Sequence, residues 1–255
     1  MAFENPIFID IETVGCAPDF DGLSPRLQQA WRKKAAFLGG ETTEAQEALF
    51  AKKSGIFAEF GKVVVIAMGY IRRDATGAAH LHVKGLAHKD EKQLLMQFKD
   101  FLSQFSHSAT LQLCGHNIKE FDVPYLCRRM VVHAIPLPPV LDIAGKKPWE
   151  VNHLDTMEMW KFGDYKKYTS LDLLATLFDI PSSKTDMDGS EVHGYYYQTG
   201  DLEKITTYCC QDVIATAQVY RKLRCLPLLP EDAIKVIEDQ PKKEVKLTGA
   251  PLFNQ

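Results

Sequence analysis

Residues 8–13 read Phe8-Ile9-Asp10-Ile11-Glu12-Thr13, and the architecture expected of the chain rests on that alternation. From Pro6 to Ile11 apolar and other residues alternate with the period of a strand, so Ile7, Ile9 and Ile11 share one face. Phe8, Asp10 and Glu12 share the other. Two carboxylates at neighbouring positions of one face repel each other unless a cation lies between them. The bland reading is an edge strand whose acidic face is simply solvated, and the rest of the chain has to decide.

The chain has 255 residues, enough for one large α/β domain or one domain with an insertion. Its apolar share of 45% and charged share of 25% are those of a soluble globular protein. No apolar run approaches a membrane span, and no basic segment followed by an apolar one stands at the start, so a cytoplasmic protein is expected. Six cysteines without Cys-x-x-Cys spacing read as reduced core residues, not as a zinc site or a disulfide frame. A net charge of −3 excludes indiscriminate coating of duplex and leaves nucleic-acid binding to a local patch.

After Thr13, residues 16–60 depart from simple βαβ grammar. Ser24-Pro25 starts one helix, and a second is expected from Thr43, as cap, to Lys53. This helical insertion follows the strand end that bears the carboxylates, where it could cover a site. Arg32-Lys33-Lys34 reads as a solvated helix face. Lys62–Ile71 is nearly all apolar and predicts a central strand buried on both faces. Residues 79–85 predict a third strand, 90–105 an amphipathic helix, and 110–114 a fourth strand placed beside the first. Residues 136–143 look extended, 180–194 and Tyr195-Tyr196-Tyr197 look like a surface loop, and Asp201–Leu223 predicts a strong helix. From residue 227 onward the pattern is lost and a mobile tail is expected.

Three further acids draw attention. Asp122 follows the turn Gly115-His116-Asn117 and would project at the carboxyl end of the fourth strand, where open α/β sheets bind ligands; its bland reading is a favourable charge at a helix N-terminus. Tyr208 and Asp212 are four residues apart and share one side of the last helix, a spacing that is uninformative alone. Asp155 reads by default as a helix cap, and His116 as a satisfied hydrogen-bonding residue.

In order, these stretches are Asp-x-Glu on a first strand, Asn-x-x-x-Phe-Asp after a later strand, and Tyr-x-x-x-Asp on a C-terminal helix. Together they resemble the DEDD superfamily of 3′–5′ exonucleases, in its tyrosine subgroup. The near neighbours are the proofreading domains of family-B DNA polymerases and predicted stand-alone bacterial exonucleases of that type. The histidine subgroup would carry His five positions before the last aspartate, where this chain has Thr207. The loop from Ile180 through Asp188-Gly189 adds to the likeness, which covers residues 3–223.

The resemblance implies an α/β, RNase H-like fold with a mixed central sheet flanked by helices. It implies an exonuclease domain over residues 1–226, with the insertion inside it, and a tail over 227–255. Asp10, Glu12, Asp122 and Asp212 would hold two divalent ions, Mg²⁺ or Mn²⁺, which take carboxylate oxygen in preference to thiol. Tyr208 would orient the attacking water, and Thr13, Asn117 and Phe121 would position the terminal nucleotide. The expected activity is release of nucleoside 5′-monophosphates from DNA 3′ ends, single-stranded by preference, in a setting such as DNA repair. The same site could trim RNA or short oligoribonucleotides, since the sequence does not reveal contacts to a 2′-hydroxyl. A non-catalytic nucleic-acid-binding module is a further alternative, although every expected acid is present. Leu252-Phe253 in the tail weakly resembles sliding-clamp ligands.

Overall fold

The computed structural model describes residues 2–105, 111–164, 166, 168–181 and 189–237. Within these, six strands form one mixed sheet: β1 (Ala2–Gly15), β2 (Gly61–Arg73), β3 (Ala79–Ala87), β4 (Leu113–Gly115), β5 (Leu154–Asp155) and β6 (Ile234–Val236). Their spatial order is β5-β4-β1-β2-β3-β6. The first three are antiparallel neighbours, while β4 runs parallel to β1, β5 to β4 and β6 to β3.

The alternation of the first strand sorts its residues between two cores. Ile7, Ile9 and Ile11 pack beneath α3 (Glu91–Ser103) and α4 (Asp122–Val132). Phe8 and Val14 lie on the opposite face, against α7 (Val192–Thr199) and α8 (Leu202–Leu223). Residues 63–69 of β2 are buried without a break, as a central strand covered on both faces requires. The long α8 comes very close to the sheet because two facing positions lack side chains. A Cβ at Gly69 would stand 2.7 Å from Val213 Cγ1, and one at Gly85 would strike the Thr206 methyl and the Cys210 sulfur.

Caps set the helix starts. Asp90 accepts from Lys92 N at 2.8 Å, and Asp201 accepts from Glu203 N at 2.9 Å. In α2 (Thr43–Lys53) the cap is Thr42, not Thr43: Thr42 holds the extended backbone a cap needs and accepts from Ala45 N at 3.2 Å. With α1 (Pro25–Phe37), this helix builds a small core of its own around Trp31, whose indole N–H donates to Gln46 O at 2.8 Å. The unit is tied to the end of β1, where the Thr13 hydroxyl donates to Gly55 O at 2.8 Å. Arg32 pairs with Glu47 at 2.6 Å on a partly solvated face.

Three expectations are corrected. Tyr195-Tyr196-Tyr197 is not loop but part of α7, because Val192 and Tyr196, four residues apart, are both buried against the sheet. Residues 136–143 are not an extended run; they contain a 3-10 turn, Pro139–Leu141, that buries Leu141. Residues 227–237 are not tail: the Gln218 amide pairs with both backbone groups of Leu229, at 2.8 and 2.9 Å, and leads the chain into β6. Residues 182–188 and 238–255, including Leu252-Phe253, lie outside the described residues. Among those described, no helix is long and apolar enough to cross a membrane.

Candidate active site

The parallel ladder between β1 and β4 is short, pairing Ile7 with Leu113 and Phe8 with Cys114 before β4 ends at Gly115. N–H groups on that side of β1 recur at alternate residues, so beyond Ile9 the next one, at Ile11, has no strand to donate to. The chain leaving β4 turns through Asn117, at φ 66°, and enters α4 at Asp122. There the Asp122 carboxylate receives the Ile11 N–H along with its own backbone N–H. The end of a strand ladder thus draws an acid to the middle of the sheet.

Asp10 and Glu12 rise from the face of β1 that α8 covers. The Cys209 thiol of α8 reaches Asp10 Oδ2 at 3.2 Å and Asp10 O at 3.4 Å. One turn of helix separates Tyr208 from Asp212, and the Tyr208 hydroxyl donates to the Asp212 carboxylate. The structure therefore brings Asp10, Glu12, Asp122, Asp212 and Tyr208 into one electrostatic neighbourhood. Burial raises the Asp10 carboxyl well above the ordinary range, and the charges of Asp122, Asp212 and Glu12 push the same way. Glu12 is raised first by burial, then by Asp212 and Asp122. Asp122 is pushed up to about 7, chiefly by burial and against its two backbone donors. Burial, followed by the charges of Asp212, Glu12 and Asp10, also raises the Tyr208 phenol, which stays protonated at neutral pH. Glu12 is only 8% exposed, and no donor among the described residues reaches it. Buried carboxylates that repel each other make a cluster suited to a divalent ion.

The residues expected to contact a nucleotide divide. The Asn117 side-chain oxygen is buried without a hydrogen-bond partner, so its acceptor capacity is unused. Phe121 lays its ring against Tyr125, with centroids 5.4 Å apart, and remains partly open. The Thr13 hydroxyl proton is committed to Gly55. His116 is satisfied at both nitrogens, by Thr156 Oγ1 at 2.9 Å and Thr169 O at 2.8 Å, and its burial lowers its basicity.

Asp155 does more than cap α5 (Thr156–Lys161). Only 2% exposed, it accepts from Met157 N at 3.0 Å and Glu158 N at 3.4 Å. It also accepts from Asn117 N at 3.0 Å and Lys119 N at 3.2 Å, pinning the turn that delivers Asp122. His193, which no pattern in the sequence singles out, accepts from Gly15 N at 3.0 Å, and Tyr197 donates to Gly15 O at 2.7 Å. Those two contacts clamp the end of β1.

Comparison with known families fits this geometry. A family described as "Predicted 3'-5' exonuclease related to the exonuclease domain of PolB" matches residues 56–232. The chain belongs to this family. The match takes in Asn117–Asp122 and Tyr208–Asp212 but starts after β1, so it is the fold that adds Asp10 and Glu12 to them. Among solved structures, the family B DNA polymerase of the hyperthermophilic archaeon Pyrobaculum calidifontis is similar, with a TM-score of 0.52 at 17% identity. The likeness covers 86% of this chain and 24% of the polymerase, so this chain spans about a quarter of that protein's length. It shows the fold: a six-stranded mixed sheet flanked by helices, of the RNase H-like type. No curated protein matches.

Proposed function

We propose that this protein is a metal-dependent 3′–5′ exonuclease that removes nucleoside 5′-monophosphates from the 3′ ends of DNA, preferring single strands. The observation that carries the reading is the acidic cluster itself, in which Glu12 is buried without a donor and Asp10, Glu12 and Asp122 all hold raised carboxyls. The donor set fits hard divalent ions, because its principal groups are carboxylates. Asp10, Glu12 and Asp212 would hold one ion, Mg²⁺ or Mn²⁺. Asp10 would share in a second, with Asp122 holding its water. Two such ions supply charge neutralisation at the phosphate and a hydroxide-like nucleophile.

The chain's own groups do the rest. Tyr208 keeps its proton and is held by Asp212, so its hydroxyl orients the attacking water and does not act as a full base. Asn117, whose side-chain oxygen is buried without a partner, would position the terminal nucleotide by hydrogen bonding, and the Phe121 ring would support its sugar or base. Support for DNA over RNA comes from membership in a family related to a DNA polymerase domain.

The test is digestion of 5′-labelled DNA and RNA oligonucleotides, single- and double-stranded, with Mg²⁺ or Mn²⁺. Stepwise shortening from the 3′ end is expected, lost on chelation and in Asp10→Asn and Asp212→Asn. A wild-type protein that shortens no substrate, or an Asp10→Asn protein at wild-type rate, would refute the assignment. Faster loss of RNA would move the substrate to the exoribonuclease alternative.

A further inference from the structure

A site meant for hard cations has a sulfur at its wall. Cys209 is fully buried, and its Sγ touches Asp10 Oδ2 at 3.2 Å. One oxygen each from Asp10 and Glu12 and the Cys209 Sγ all lie within 4.8 Å of one another. The neighbouring Cys210 is not part of this group, since its sulfur faces Gly85 of β3. Glu12 contributes the second, independent sign of a ligand site, a carboxylate more than nine-tenths buried with no donor among the described residues.

Geometry states what the trio fits. Around a tetrahedral cation with a metal–sulfur bond of about 2.3 Å and metal–oxygen bonds of about 2.0 Å, sulfur and oxygen ligands stand roughly 3.5 Å apart. The Asp10–Cys209 edge already measures 3.2 Å, within a few tenths of an ångström of that spacing, and a Glu12 oxygen stands within 4.8 Å of both, near enough to be drawn in as the third ligand. Mg²⁺ gains nothing from a thiol, whereas borderline and soft cations gain most from it. We propose that Asp10, Glu12 and Cys209 form a capture site for one thiophilic divalent cation, Zn²⁺ or Cd²⁺, which competes with the hard cation for the same carboxylates and switches the exonuclease off. As the sulfur–metal bond forms, the S–H bond breaks and its proton leaves to solvent; no electron is transferred. Binding at the trio stands on geometry alone, while the inhibitory consequence rests on the exonuclease reading.

The two exposed cysteines, Cys16 and Cys225, are first replaced by serine to give a quiet background. Cd²⁺ is then titrated, following the ultraviolet charge-transfer absorption of a cadmium–thiolate bond and the binding heat. Expected is one saturable equivalent with the absorption band in the background protein. Cys209→Ser and Cys209→Ala should abolish the band, and Glu12→Gln should keep the thiol yet weaken binding by about tenfold or more. The Glu12→Gln arm reports on the trio even if the Cys209 variants do not fold. No band in the background, or a band unaltered in folded Cys209 variants, or unweakened binding in Glu12→Gln, overturns the site. In the second arm Zn²⁺ is added under excess Mg²⁺, and each variant is compared with its own zinc-free rate. The background protein should lose about tenfold or more of its rate, and Cys209→Ser should lose far less. Equal loss in both overturns the switch. If no variant is an exonuclease, the functional assignment fails while the cadmium arm still decides the site.

Discussion

Replacing Asp122 by asparagine changes a charge and almost no volume, at a carboxyl whose environment sets the size of the effect. Asp122 is 4% exposed, and its carboxyl rises from 3.8 to about 7, with burial as the main cause. Below about pH 4 the group is protonated in folded and unfolded chains alike, and it contributes nothing. Between there and neutrality the unfolded chain releases a proton that the folded chain keeps, so the folded state loses stability as pH rises. Above about pH 7 the loss is complete and constant. A rise of about three pH units at ~1.4 kcal/mol each sets a ceiling of ~4 kcal/mol. Asparagine retains an oxygen for the Ile11 and Asp122 N–H groups but cannot ionise, so the change in their hydrogen bonds gives a pH-independent offset of ~1 kcal/mol. The mutant's advantage over wild type should therefore grow with pH while the offset stays fixed. Urea unfolding with a chelator present, at steps from about pH 4.5 to about pH 8, measures that growth. At a slope of about 3 kcal/mol per molar urea, the ceiling corresponds to roughly 1 M in the midpoint. Saturating Mg²⁺ should narrow the difference, since a hundredfold excess over its dissociation constant stabilises a protein by ~2.7 kcal/mol and the protein with all four acids binds the ion more tightly. A difference between the two proteins that is the same at both ends of the pH range would refute the reasoning, whatever its absolute value.

Tyr208→Phe, which removes only the hydroxyl that Asp212 holds, should lower kcat by about tenfold to a hundredfold with KM little changed; single-turnover digestion reads the split, and an equal rise in KM would place the ring in the substrate cleft. Asp155→Ala strands the N–H groups of Asn117 and Lys119 and uncaps α5, so unfolding by urea should show a loss of ~3 kcal/mol, with kcat falling because the turn that delivers Asp122 is no longer pinned. Glu91 joins Arg129, His133 and Val63 N between the sheet, α3 and α4; Glu91→Gln leaves the Arg129 guanidinium buried against a neutral amide and should reduce stability by ~3 kcal/mol in the same assay. Gly85→Val forces a side chain into Thr206 and Cys210 and should lower the melting temperature by several degrees, whereas Gly77→Val, with nothing within 4 Å but a φ of 88°, should destabilise through the turn backbone alone.

What the sequence disclosed and what it withheld separate along a physical line. The period-two face of Asp10 and Glu12, the unbroken apolar run of β2 and the period of α3 and α8 are local patterns, and each was legible because backbone geometry alone fixes which residues share a face. The convergence of the four acids was legible for another reason: their order along the chain carried information that the spacing of any one pair did not. The second tier of the site answers to neither constraint. Asp155 earns its place through N–H groups 36 and 38 residues upstream, His193 through one 178 residues away, and Cys209 through a carboxylate 199 residues away. At each of these positions a cap, a core thiol or a surface histidine would leave the same trace in the sequence. The α7 helix was missed likewise, because its three tyrosines carry no helical period and only the burial of Val192 and Tyr196 against the sheet makes one turn of them. The proposed metal role would dictate the identity of an acid, but not the identity of whatever holds the acid. The proposed capture of a thiophilic ion, which depends on a thiol beside the carboxylates, accordingly belongs to the part of the protein that only the folded chain displays.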